Sequence, residues 1–165
     1  MGVFGSLFGG GGSGNREYGD AHGADGWVHR LLEVYENEVI DSGLLKNVSN
    51  AWKNPGSVSD GEVRNWINAY EVDVKDQANL EREGKGMYEQ RMESDKVEDP
   101  SPLFKETVEL LEEEIDEDEK EIRAVENKLD AGEKEEALKL FRDILHRDLR
   151  VMKKIARKWK IDFEA

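Results

Sequence analysis

The chain has 165 residues, 38 acidic against 24 basic for a net charge of −14, and no cysteine. That composition excludes disulfides, thiolate metal sites and a cysteine nucleophile, and it opposes phosphate binding by the domain as a whole. So no nucleic-acid partner is expected, and the acidity suits a medium of high salt, where self-repulsion is screened. Apolar residues are 37% and charged residues 38%, which predicts thin apolar stripes on long helices rather than a thick core.

Residues 1–15 form an apolar, glycine-rich segment. Val3, Phe4, Leu7 and Phe8 share one side of a short helix, and Gly9 to Gly14 make a flexible tether. No run is apolar enough for a membrane span, and the start lacks the charged and apolar regions of a signal peptide. A cytoplasmic or virion-associated location is therefore expected. Three roles compete for the segment: a tail without function, an assembly contact, or an interfacial anchor in which residues 1–8 touch a membrane. Gly2 with Ser6 also matches the short N-myristoylation pattern.

Residues 25–98 read as a helical N-terminal region. Asp25 is expected to cap a first helix with Val28, Leu31, Leu32, Tyr35 and Val39 on its apolar face, stopped by Gly43. A short helix then carries Leu44, Leu45, Val48 and Trp52, ending at Asn54-Pro55-Gly56. Ser59 to Glu62 reads as a capping box, opening a helix with Val63, Ile67, Tyr70 and Val74 on one stripe. Gln77, Glu81 and Gly84 then occupy positions that ought to be apolar, and Gly84-Lys85-Gly86 predicts a frayed or bent stretch.

Residues 101–160 read as an antiparallel helical hairpin. Ser101 caps and Pro102 opens its first helix. Phe104, Val108, Leu111, Ile115, Asp118, Ile122, Val125 and Leu129 recur at alternating steps of four and three. After a break at Asp130-Ala131-Gly132, the second helix runs on Leu138, Phe141, Leu145, Leu149, Met152, Ala156 and Trp159. A connection this short forces antiparallel neighbours. From Lys105 to Asp130 there are 12 acidic and 4 basic residues; from Glu133 to Lys160 there are 5 and 10. Opposite charges should therefore flank the seam, with Glu112 to Glu121 beside Arg142, Arg147 and Arg150. Asp118 is the polar exception on the seam, and it is expected to pair with Arg142 or His146 as a register device. The basic end, Arg147 to Lys160 interleaved with Met152, Ile155 and Trp159, is expected to complement the acidic helix.

The fold class is thus all-α: a helical bundle with a C-terminal antiparallel hairpin and a flexible N-terminal segment. Carboxylate-bridged bundle sites need paired Glu-x-x-His motifs. The three histidines supply only Asp143 three before His146 and Glu33 four after His29, so no metal ligand, cofactor or catalytic residue is assigned. The expected function is non-enzymatic: an assembly or adaptor protein in a homo-oligomer or larger complex such as a virion, working through helix–helix contacts. A peripheral membrane protein and a metal-binding bundle enzyme are the alternatives. Met1 to Gly12, followed later by the hairpin, resembles ESCRT-III membrane-remodelling subunits, whose amphipathic opening precedes a long hairpin. That family sets a basic hairpin directly after the opening. Here a long stretch intervenes and the first hairpin helix is acidic, so no functional residue is carried over. The phenylalanine-glycine opening also resembles small virion proteins of tailed viruses.

Overall fold

In a computed structural model, which describes residues 23–93 and 102–164, every regular element is helical. Helix α1 spans Gly23–Tyr35, beginning ahead of the Asp25 expected to cap it, and runs on into a π-helical turn, Glu36–Asp41. The wider turn brings in one extra residue, so Tyr35 and Val39 are fully buried and Glu38 has its Oε2 inside as well. Such turns are rare and concentrate at functional sites. Gly43, at φ +84°, makes the left-handed corner into α2, Leu44–Lys53. A 3-10 turn at Pro55–Ser57 follows. Ser59 Oγ then accepts the Glu62 amide at 3.1 Å and starts α3, Asp60–Glu93.

Helix α3 is unbroken through Gly84-Lys85-Gly86, contrary to the fraying expected there. The reason is tertiary. Trp27 of α1 packs closely against Gly84, where a Cβ would stand 2.8 Å from its ring, and the indole Nε1 donates to the Leu80 carbonyl at 2.6 Å. Packing here outweighs the roughly 1 kcal/mol propensity penalty of a helical glycine. Gln77, another weak point in the stripe, is buried and donates to Asp73 at 2.7 Å, and Leu80 takes the next core position.

Helices α4, Pro102–Asp130, and α5, Lys134–Lys158, are joined by residues 131–133 and lie antiparallel. Gly132, at φ +80°, supplies the corner. Ser101, the expected cap, lies outside the described residues, as does the segment 1–15 with Val3, Phe4, Leu7 and Phe8. Helix α4 packs against α3 as extensively as against α5, while α2 packs against α5 and α1 against α3. The five helices therefore share one contiguous apolar core from Trp27 to Ala156. This corrects the expectation of thin stripes: a helix buried on two sides needs only a modest apolar fraction to close a core. After α5 the chain folds back. Lys160 takes the left-handed position at φ 55°, the Ile161 amide donates to the Ala156 carbonyl at 2.9 Å, and Phe163 covers Tyr35 with ring centroids 6.2 Å apart. Among the described residues, no helix is long and apolar enough to cross a membrane.

Candidate functional site

Of the hairpin seam, Phe104, Val108, Leu111, Ile115, Ile122, Val125, Leu129, Leu138, Phe141, Leu145 and Met152 are buried, and Leu149 and Trp159 are half-buried. Asp118 is buried among them at 1% exposure. Its partner is neither Arg142 nor His146. Arg142 instead lies over the Trp52 ring, 4.7 Å from its centroid, and His146 Nε2 is 3.5 Å from Ser49 Oγ. Helix α2 occupies that side of α5 and takes both residues away from α4. Arg147 makes the bond to Asp118, Nη2 to Oδ1 at 2.7 Å, and also reaches Glu121 at 2.5 Å and Glu114 at 3.3 Å.

Around this bond the bundle gathers carboxylates from every long helix. Helix α3 contributes Asp73, at 0% exposure, and α5 contributes Asp148, at 3%. The π-helical turn adds Glu38. Two tyrosines close the cluster. Tyr70 OH donates to Asp148 Oδ2 at 2.5 Å, while the Tyr35 hydroxyl is fully buried with no partner among the described residues. Asp73 Oδ1, Asp148 Oδ1 and Glu38 Oε2 are buried and likewise lack a donor. Arg147 is the one cation in hydrogen-bond contact with the cluster among the described residues. Ionised together in so dry a place, these acids would repel strongly, so protons or another cation must balance them.

Burial, followed by the Asp118 charge, pushes Asp148 well above the carboxylate range. Burial raises Asp118 to about 6, against the opposing hydrogen bonds from Asp148 and Arg147. Asp148 thus carries the shared proton and Asp118 the charge beside Arg147. Asp73 is raised by burial despite its bond from Gln77. Glu38 is pushed up to about 9, by burial first and then by sharing a proton with Asp76.

The Glu38 shift sets a pH dependence. The unfolded chain releases this proton near the ordinary value of 4.5, whereas the native protein keeps it to about 9. Between those values the native state binds more protons, so stability falls as pH rises. The groups facing Glu38 are Asp73 and Asp76 on α3, with Tyr35 closing the same turn. Asp118, Asp148 and Arg147 lie beyond them. Urea midpoints should therefore be lower at pH 8.5 than at pH 5.5, and Glu38→Gln should raise the midpoint at pH 8.5 more than at pH 5.5. Equal effects at the two values would remove Glu38 as the source.

Paired histidine motifs do not mark this cluster, because it contains no histidine. The available signal was an acid at an inward register in each long helix: Asp73 three residues after Tyr70, Asp118 on the seam, and Asp148 three after Leu145. Comparison with protein-family models, with curated proteins and with solved structures finds no match.

Proposed function

We propose that the chain is a non-enzymatic assembly or adaptor subunit, a component of a larger complex such as a virion, acting through protein–protein contacts. The observation that carries this reading is the charge left over on the bundle surface. Exposed Arg150, Lys153, Lys154 and Arg157 on α5 make no ion pair among the described residues, and neither do exposed Glu113, Asp116, Glu117 and Glu119 on α4. The internal complementarity expected of the two helices is largely confined to Arg147 and to Lys158, which reaches Glu106 at 2.5 Å. Val72 is the one large apolar side chain well exposed among the described residues. Apolar helix faces are spent inside the bundle, so contacts made by the described surface are charge-driven, with a basic end of one copy facing an acidic ridge of another. Such contacts set orientation and association rate and weaken with salt.

The test is native mass at low and high ionic strength. Oligomers at about 0.05 M salt should dissociate toward the 18.8 kDa monomer near 1 M, where screening is nearly complete. The double variant Lys153→Glu, Arg157→Glu should be monomeric throughout. A wild-type monomer at low salt that captures no partner counts against the proposal.

A further inference from the structure

We infer that Glu114, Asp118 and Asp148 form a binding site for a hard divalent cation, with Ca2+ favoured by the number of carboxylates. One carboxylate oxygen from each lies within 4.8 Å of the other two. Ca2+ accepts several carboxylates in a flexible shell of oxygens at about 2.3–2.6 Å, whereas Mg2+ is held by one or two and keeps most of its waters. The donors are all oxygen, which selects against the softer transition metals. Arg147 claims Oε2 of Glu114 and Oδ1 of Asp118, and Tyr70 claims Oδ2 of Asp148. A second oxygen therefore remains on each carboxylate. Once the proton on Asp148 is displaced, the three carboxylates beside one guanidinium carry a net charge of about −2, which a divalent ion cancels.

Two further observations point to a ligand. The Tyr35 hydroxyl, fully buried and without a hydrogen-bond partner among the described residues, lies within electrostatic reach of Asp148, Asp73 and Asp118. It offers a neutral oxygen to an ion or to a water on that ion. A surface groove also leads to the cluster, lined by Glu113, Glu114, Asp116, Glu117, Lys120 and Arg147. Glu114 and Arg147 belong to both groove and cluster, so the acidic groove attracts a cation and delivers it to the half-exposed edge of the site. Tyr70 is the positioning residue: its bond to Oδ2 orients Asp148 and leaves Oδ1 for coordination. The rival occupant is a proton shared between Asp118 and Asp148.

The experiment uses the full chain stripped with a chelator and exchanged into buffer at pH 8. Ca2+ at a hundredfold excess over its Kd should raise Tm by roughly 5–10 °C, with a smaller rise from Mg2+. Tb3+ should give tyrosine-sensitised emission that Ca2+ displaces. Asp148→Asn should abolish both signals, while Glu113→Gln in the groove retains them. No Tm rise with Ca2+, or a rise that survives Asp148→Asn, overturns the site in favour of protons or of diffuse binding to the acidic surface. Should Asp148→Asn fail to fold, Glu114→Gln at the half-exposed edge takes its place. It must weaken Ca2+ binding at least about tenfold, and unchanged affinity overturns the site equally.

Discussion

Arg147→Met should destabilise the protein by about 3–5 kcal/mol, the scale for removing one partner of a buried ion pair. The guanidinium serves three acids at once, from α4 positions 114, 118 and 121, which follow one another at steps of four and three along one helical face. Glu114 and Glu121 retain some solvent, with side chains 18% and 27% exposed, so losing their partner costs little. Asp118, at 2%, has no such outlet, and most of the penalty falls there. Urea denaturation of the single and the double variant separates this from lost packing. If charge is the cause, Asp118→Asn added to Arg147→Met recovers much of the loss. If the arginine stem is the cause, methionine already replaces it and the single variant stays near wild type.

Trp27→Ala should cost about 3–5 kcal/mol, as for other large aromatic truncations in a core. The indole joins three helices. It meets Phe104 of α4 edge-on with centroids 5.4 Å apart, donates to the Leu80 carbonyl of α3, and rests on Gly84. The decisive companion is Gly84→Ala. On an isolated helix this change stabilises by about 1 kcal/mol. Here the added methyl meets the rigid indole at 2.8 Å, with 3.0 Å to its neighbouring atoms, so overpacking should destabilise by about 1–3 kcal/mol. Thermal unfolding gives the sign directly, and a more stable Gly84→Ala protein would mean that Trp27 is not seated as described.

These two positions mark where local reading succeeds and where it stops. The regular steps from Phe104 to Leu129 and the glycine at 132 specify α4 and its reversal, because helical period and a left-handed corner are properties of a few neighbouring residues. Gly84 has no such local meaning. Read along the chain it is a helix weakener; only the approach of Trp27, far away in sequence, makes it a packing notch. Asp148 escaped notice for a related reason. A two-helix seam places Leu149 inward, whereas α5 is also packed by α2 and α1, and the wider buried face takes in Asp148 as well.

Helical content, the antiparallel turn at residues 131–133 and the one anomalous seam acid, Asp118, are set by the amino-acid order alone, since each follows from periodicity and turn chemistry over short range. Which basic residue answers Asp118, and the meeting of Glu38, Asp73, Asp118 and Asp148 in one dry cluster, are decided only by the packing of four helices. Charge and burial are pairwise properties of space, and no spacing along a single helix encodes which faces will be pressed together.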